Sequence, residues 1–267
     1  MTLLDQARID ALGDALFDAL RGRHTVEPLT GTVPGITIED AYRVSRRMLS
    51  RRLAEGERVI GKKIGVTSKP VQRMLDVHQP DFGFLTDRMR FDDGGEIPIG
   101  RELIQPRAEG ELAFVLGRSL SGPGVTEADV LLATEAVHPC FEIVDSRIRD
   151  WKIRIEDTVA DNASSGLFAL GKDGVSPRRA GGLDLVTCGM VVEKNGEIIS
   201  TGAGAAALGS PVYCVAWLAN TLGAFGVSLE AGEVVLSGSL VPLEPVRPGD
   251  RMRLRVGGIG GAEVVFT

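Results

Sequence analysis

Cysteine, histidine and aromatic residues are scarce in this chain of 267 residues. None of its three cysteines, Cys140, Cys188 and Cys214, has the CxxC or histidine-paired spacing of a metal or redox site. The odd number argues against a disulfide framework and favours reduced thiols in a cytoplasmic enzyme. Three scattered histidines are too few for a histidine-rich metal site, and no Walker loop, GxSxG or HExxH motif occurs.

Blocks of positive charge are also missing. The formal net charge is -6, so nucleic acid and anionic membranes are not expected as partners. The pairs Arg46-Arg47 and Arg51-Arg52 are expected to form the solvated face of a helix. The first eight residues lack the basic and apolar segments of a signal peptide, which again favours a cytoplasmic location.

The longest uncharged stretch lies between Glu197 and Glu230 and could suggest a membrane span. Glycines and Pro211 interrupt it, and no lysine or arginine flanks it as an anchor. The pattern therefore predicts a glycine-rich loop followed by a buried helix over residues 211–222. The GxGxxA pattern at 202–207 follows a predicted hairpin and not the first strand of a parallel βαβ unit, so it does not indicate nucleotide binding.

The sequence pattern changes from helical periodicity to short β-branched runs near residue 57. Residues 1–57 are predicted to form a helical N-terminal subdomain, in which Thr37-Ile38-Glu39-Asp40 carries a capping signal. Residues 58–267 are predicted to form a β-rich catalytic domain of short β-branched runs divided by glycines. Asn195-Gly196 is a hairpin signal, and Pro80-Asp81-Phe82-Gly83 predicts a turn. The fold class is therefore α/β of the α+β kind.

Three carboxylates are the most informative feature. Glu109 and Glu111 alternate in an apolar run that predicts a strand, so they should project from one face. Glu142 lies within a second apolar run. Buried like charges are costly unless a cation lies between them, and a set made of carboxylates alone selects a hard ion, Mg²⁺ or Mn²⁺. Three ligands leave positions open for a chelating substrate and water.

Other polar residues allow two interpretations each. Lys62 and Lys63 lie in the apolar segment 59–66, and alternation points only one of them inward. They could be a surface pair, or one could face the carboxylates, offset their charge and transfer protons. Asp81 could be a turn former or a catalyst, and His78 a surface or packing residue.

At these residues the chain resembles a known family. The motifs that carry the resemblance are Gly61 to Ser68, Asp76 to Gly83, Gln105 to Leu116, Asp145 to Trp151 and Val159 to Ser164. They are similar to those of the 2-oxopent-4-enoate (2-hydroxypenta-2,4-dienoate) hydratases of aromatic meta-cleavage pathways, within the fumarylacetoacetate hydrolase superfamily. The similarity runs over essentially the whole chain.

The resemblance implies a mixed β-roll core, a homo-oligomer and a set of site residues. The metal ligands would be Glu109, Glu111 and Glu142, which would bind Mg²⁺ or Mn²⁺. Lys63 and Asp81 would be the catalytic pair. The pocket would include three serines, Ser164, Ser237 and Ser239.

The implied reaction is hydration of a 2-hydroxydienoate, or of its 2-oxo tautomer, to 4-hydroxy-2-oxopentanoate. The alternative is 4-oxalocrotonate decarboxylase, a relative with the same metal carboxylates that is also a possible partner in a complex. The segment His78 to Gly83 favours a hydratase. A catalytically inert partner subunit is a further alternative, and the intact carboxylates, Lys63 and Asp81 argue against it.

Overall fold

The structure is a computed structural model that describes residues 3–178 and 182–267. Eight α-helices lie in this part of the chain: α1 Gln6–Gly22, α2 Leu29–Thr32, α3 Ile38–Ala54, α4 Lys69–Met74, α5 Ile99–Glu102, α6 Glu127–Ala133, α7 Ile155–Ala160 and α8 Pro211–Gly223. The strands in the same ranges are β1 Val59–Gly65, β2 Asp81–Thr86, β3 Arg90–Asp92, β4 Glu96–Ile97, β5 Arg107–Leu116, β6 Thr134–Val144, β7 Ser165–Leu170, β8 Gly189–Lys194, β9 Glu197–Ala203, β10 Val234–Leu236, β11 Glu244–Pro245, β12 Arg251–Val256 and β13 Gly260–Phe266.

The strands form two mixed sheets. The larger has the order β2-β1-β10-β5-β6-β7-β3, with β11 also paired to β5, and the smaller has the order β4-β13-β12-β8-β9. Gly110 of β5 lets the sheets approach, because a Cβ atom there would lie 2.5 Å from Met190 Sδ and 3.3 Å from Leu254. The smaller sheet therefore covers the Gly110 face of the larger one, and Glu109 and Glu111 project from the other face.

The N-terminal helices pack around a second, smaller apolar cluster, which they share with residues 148–160. Its members include Leu16, Val44 and Met48 from α1 and α3, together with Val159 from α7. Tyr42 of α3 packs against both this cluster and the main core. The division of the chain at residues 57 and 58 stays a prediction.

Much of the predicted local structure is confirmed. Thr37 forms a capping box with Asp40 at the start of α3, and Asn195-Gly196 joins β8 to β9 in the predicted hairpin. The mixed sheets with N-terminal helices confirm the α+β class. All three cysteines are free and buried.

Two local predictions were wrong. Asp81 does not lie in a turn, because it begins β2 and pairs with Gly65 of β1; strand pairing overrides the local turn preference of Pro-Asp. Arg52 does not belong to a solvated face, because its side chain is buried and donates to Glu57 at 2.9 Å.

The uncharged stretch between Glu197 and Glu230 contains the predicted core helix. Among residues 3–178 and 182–267, one stretch, Gly204–Gly223, has the length and apolar character to cross a membrane, and half of it is buried within the fold. It includes α8, in which Cys214, Val215 and Leu218 are buried. The glycines of the GxGxxA pattern serve packing, since a Cβ atom at Gly204 would collide with Leu185 O.

Candidate metal centre and catalytic site

Three carboxylates meet on one face of the larger sheet. Glu109 of β5 lies directly opposite Glu142 of β6, and Glu111 follows two residues further along β5. One carboxylate oxygen from each lies within 4.8 Å of the others. Glu111 and Glu142 are buried, and Glu109 is half-buried. The structure thus brings together three residues that the sequence holds up to 33 positions apart.

The oxygens of this cluster are short of hydrogen-bond donors. Glu111 Oε2 accepts from the Gly238 amide at 2.8 Å. Within the described residues, Glu111 Oε1 and both Glu142 oxygens have no hydrogen-bond partner, although Lys63 Nζ forms an ion pair with Glu142 Oε1 at 3.2 Å. Buried carboxylate oxygens without donors are costly. An all-oxygen set of this kind fits a hard divalent cation.

The raised pKa values of the three carboxyl groups also indicate a site that needs a cation. Burial raises the pKa of Glu109 to about 8, with a further contribution from the charge of Glu142. Burial also raises the pKa of Glu111 well above its usual range, and Glu142 and Glu109 add to it. Burial raises the pKa of Glu142 as well, although Lys63 opposes this shift. A cation entering the site must therefore displace protons.

Lys63 and Asp81 lie beside the carboxylates on the same face. Lys63 of β1 pairs with Leu236 of β10, and Leu236 pairs with Ala113 of β5. Ala113 lies two residues beyond Glu111, so Lys63 and Glu111 share one face of the sheet. Burial alone would lower the pKa of Lys63, but Glu142, Asp81 and the other carboxylates outweigh it and raise that pKa. Burial raises the pKa of Asp81, and Lys63 opposes that shift.

Gly65 provides the space for this pair. It opposes Asp81 across the β1–β2 ladder. A Cβ atom at Gly65 would collide with Asp81 Oδ1 and lie 3.3 Å from Lys63 Nζ. Asp81 Oδ1 is buried without a hydrogen bond to the described residues, and Thr158 Oγ1 donates to Oδ2 at 3.4 Å. One Asp81 oxygen is therefore free to accept a proton from a ligand.

The surface-pair interpretation of the two lysines was wrong, because both are buried. Lys62 points to the opposite face from Lys63 and binds Glu233 with distances of 2.6 and 2.5 Å to its two oxygens. Alternation along β1 thus gives each lysine its own carboxylate partner. His78 is exposed.

The three serines occupy different environments. Ser164 is buried, and its hydroxyl lies 3.2 Å from Thr158 Oγ1, which links it to Asp81. Ser237 Oγ is buried without a partner among the described residues. The Ser239 hydroxyl donates to Val241 O at 2.5 Å and is thereby held by the backbone. Their roles as substrate contacts stay predictions.

A strained segment holds one side of the site. Asn162, Ala163 and Ser164 have φ values of 54°, 53° and 52°, a left-handed conformation that costs non-glycine residues roughly 1–2 kcal/mol each. The Asn162 side chain compensates by binding Phe84, with Oδ1 accepting from its amide at 2.8 Å and Nδ2 donating to its carbonyl at 2.9 Å. Arg147, fully buried, donates to Ser165 O at 2.9 Å just beyond this segment.

Sequence reasoning missed several residues of this site. Tyr42 stacks on Phe82 with ring centroids 4.4 Å apart, so helix α3 reaches the strand that carries Asp81. Burial raises the pKa of Tyr42, and the charge of Asp81 adds to it. Thr158 and Asn162 gave no sequence signal beyond their place in or near a family motif. Arg107 shares the alternation of Glu109 and could have been found by it.

Comparison with known proteins shows the family. Residues 59–267 match the sequence model of the fumarylacetoacetate (FAA) hydrolase C-terminal domain. The match covers well over half of the chain, and the chain therefore belongs to this family.

Close relatives have names that specify a reaction. The chain is 68% identical to a 2-hydroxypent-2,4-dienoate hydratase of Pseudomonas putida over 225 residues. This alignment covers 84% of this chain and 100% of the relative. The chain is 57% identical to a 2-hydroxyhexa-2,4-dienoate hydratase of Comamonas testosteroni, over 98% of this chain and 99% of the relative.

A solved structure gives a close match to the whole fold. The 4-oxalocrotonate decarboxylase of Pseudomonas putida G7, complexed with magnesium and adipate, superposes with a TM-score of 0.95 at 36% identity. The alignment covers 100% of both chains. The helical N-terminal part, which lies outside the family match, is therefore shared with this neighbour.

Proposed function

We propose that this protein is a hydro-lyase that hydrates 2-hydroxypenta-2,4-dienoate (2-oxopent-4-enoate) to 4-hydroxy-2-oxopentanoate in aromatic meta-cleavage catabolism. The observation that carries the proposal is the set of three carboxylates with unsatisfied oxygens beside Lys63 and Asp81. Relatives at 57% and 68% identity that are named dienoate hydratases support the reaction class.

The cofactor is a divalent metal ion, which we assign as Mg²⁺ or Mn²⁺ held by Glu109, Glu111 and Glu142. A carboxylate-only set favours these hard ions over zinc. Magnesium in the decarboxylase structure supports the assignment. When bound, such an ion supplies Lewis-acid stabilisation of negative charge on the C2 oxygen of a 2-oxo acid.

The chain's own residues then move protons. The net reaction adds water across the C4–C5 double bond: C5 is protonated to give the 2-oxo-3-enoate, water adds at C4, and C3 is protonated. Lys63, an ammonium surrounded by carboxylates, has N–H groups to donate, and Asp81 Oδ1 has a free lone pair to accept a proton from water. We therefore propose Lys63 as the donor and Asp81 as the acceptor.

The pocket around the substrate would include Ser164, Ser237 and Ser239. The unpartnered hydroxyl of Ser237 and the contact of Ser164 with Thr158 leave hydrogen-bonding capacity near Asp81. The backbone-bound hydroxyl of Ser239 fits a role in shaping the wall better than in binding ligand.

The second candidate function is decarboxylation of 4-oxalocrotonate. The superposition on a decarboxylase over the whole chain favours it. The named hydratases are more similar in sequence than that neighbour, which places hydration first. The intact carboxylates, Lys63 and Asp81 oppose an inert partner subunit.

One experiment separates these functions. Purified protein with Mg²⁺ or Mn²⁺ is given the dienoate and, separately, 4-oxalocrotonate, while loss of chromophore, CO₂ release and product identity are followed. A hydroxy-oxo acid without CO₂ is expected from the dienoate. CO₂ release from 4-oxalocrotonate without hydration would identify a decarboxylase, and no turnover of either would favour the inert subunit.

Assembly and location complete the proposal. We propose a cytoplasmic homo-oligomer that can associate with a 4-oxalocrotonate decarboxylase, because the product of one enzyme would be the substrate of the other. Light scattering of the pure protein, alone and mixed with the decarboxylase, measures both associations.

A further inference from the structure

Arg107 is the next residue outward from Glu109 on the face that carries the carboxylates. Arg107, Glu109 and Glu111 alternate along β5, and Arg107 opposes Val144 just as Glu109 opposes Glu142. Alternate residues of a strand lie about 7 Å apart. Arg107 and Glu109 are therefore neighbours on the face where a ligand of the metal centre would lie.

The guanidinium of Arg107 lies against an aromatic ring. Its Cζ lies 4.6 Å from the ring centroid of Trp151. Among residues 3–178 and 182–267 it makes no hydrogen bond and no ion pair, even with Glu109 on the same face. Stacking uses the flat face of the guanidinium and leaves the N–H donors in its plane free.

The aromatic support is itself fixed. Trp151 Nε1 donates to Gln105 O at 3.0 Å, and Gln105 Nε2 donates to Ile148 O at 2.6 Å. The carboxylate of Asp145 accepts from the Gln105 amide at 2.7 Å. Trp151 also has a φ of 56°, a strained value that only a well-determined surrounding maintains. Arg107 is thus held in place before any ligand binds.

Charge balance indicates what the free donors bind. With the cluster ionised, Glu109, Glu111, Glu142 and Asp81 oppose a single ammonium, that of Lys63. A divalent cation still leaves an excess of one negative charge, which would repel an anionic substrate. A guanidinium on the same face would offset that excess negative charge and attract an anionic substrate.

We propose that Arg107, supported by Trp151, binds the C1 carboxylate of the substrate and fixes the orientation of its acid end. This inference rests on the proposed function for the identity of the substrate. The competing occupant is the far-end carboxylate of a dicarboxylate. The position next to Glu109 and the monocarboxylic substrates in the names of the hydratase relatives favour C1.

The test measures binding by the full-length protein saturated with Mg²⁺. Isothermal titration calorimetry of wild type and Arg107→Met compares three ligands: pyruvate, a 2-oxo monocarboxylate; pyruvamide, its neutral amide; and 2-oxoadipate, a 2-oxo dicarboxylate. Pyruvate affinity should fall about 10- to 100-fold in the variant, the value of a hydrogen bond to a charged group. Pyruvamide affinity and Mg²⁺ affinity should change less than about threefold.

Three further variants sharpen the result. Arg107→Lys keeps the charge but not the planar fork and should lose less than Arg107→Met. Trp151→Leu removes the ring that stacks on the Arg107 guanidinium and should reduce pyruvate affinity about two- to fivefold. Arg255→Met, at an exposed position of β12, is the matched control and should bind both ligands as the wild type does.

The outcomes are distinct. Unchanged pyruvate affinity in Arg107→Met, or equal losses for pyruvate and pyruvamide, would overturn the proposal. Unchanged pyruvate affinity together with weaker 2-oxoadipate binding would assign Arg107 to a far-end carboxylate and overturn it as well. If pyruvate binding depends on Arg107 but the wild type does not hydrate the dienoate, the proposed function fails and the carboxylate contact stands.

Discussion

Replacing Glu111 by glutamine should leave the metal-free protein at least as stable as the wild type while removing its stabilisation by metal. Burial, Glu142 and Glu109 raise the pKa of this carboxyl. A carboxyl whose pKa is higher in the folded than in the unfolded chain lowers stability at neutral pH, because folding must bury its charge or take up a proton. Glutamine avoids this cost, and its amide can donate to Glu142 Oε2, which has no hydrogen-bond or ion-pair partner among the described residues.

The size of the metal effect follows from binding and chain length. At a metal concentration of one hundred times Kd, binding to the folded state adds about 2.7 kcal/mol to the free energy of unfolding. For 267 residues the entropy of unfolding is roughly 0.56 kcal/mol/K. The wild type should therefore gain about 5 °C in Tm, and Glu111→Gln less than about 1 °C.

Scanning calorimetry of both proteins in EDTA and in Mg²⁺ tests this prediction. Glu233→Gln is the matched control, because Glu233 binds Lys62 on the opposite face of the sheet. It should lose about 1–3 kcal/mol, or about 2–5 °C, in both conditions and keep the full metal shift. The reasoning is refuted if Glu111→Gln melts below the wild type in EDTA, or if it retains the metal shift.

Three further predictions concern the pH dependence of metal binding, the steric room beside Asp81 and the buried ion pair of Arg147 with Asp161. Because the pKa of Glu109 is about 8 and only the ionised carboxyl binds a cation, metal affinity should rise as the pH increases from about 6 to 8; calorimetry in buffers of different ionisation enthalpy counts the released protons, and pH-independent affinity would contradict it. Gly65→Ala should reduce kcat at least about 100-fold with native circular dichroism, because the added Cβ atom would collide with Asp81; near-normal turnover would show that Asp81 can move. Arg147→Met should lose about 3–5 kcal/mol by leaving buried Asp161 unpaired, measured by urea unfolding, and Arg147→Met combined with Asp161→Leu should recover part of that loss.

The parts of the fold that could be predicted depend on neighbours in sequence. Alternation placed Glu109 and Glu111 on one face, and the capping box at Thr37 and the hairpin at Asn195-Gly196 follow from contacts over two or three residues. The interrupting glycines, Pro211 and the lack of flanking lysine or arginine also distinguished the buried helix α8 from a membrane span. Each of these features is determined within one turn or one strand.

The parts that could not be predicted depend on distant partners. Alternation sends Lys62 and Lys63 to opposite faces, but the burial of Lys62 requires Glu233, 171 positions away. Asp81 enters a strand only because β1 supplies a pairing edge. The run of left-handed residues that ends at Ser164 contains no glycine, so the residue types in this segment do not predict its backbone conformation.

The two lysines of β1 also bear on how this strand finds its register during folding. A slip by one residue would exchange Lys62 and Lys63 between the faces, and each face carries a carboxylate, Glu233 on one and Glu142 on the other. Charge attraction therefore discriminates poorly between the native and the slipped pairing. Gly61 does so by shape, because any Cβ atom at its place would collide with Val234 O of β10. We therefore expect Gly61, two residues before Lys63 on the same strand, to help determine which lysine reaches the carboxylates.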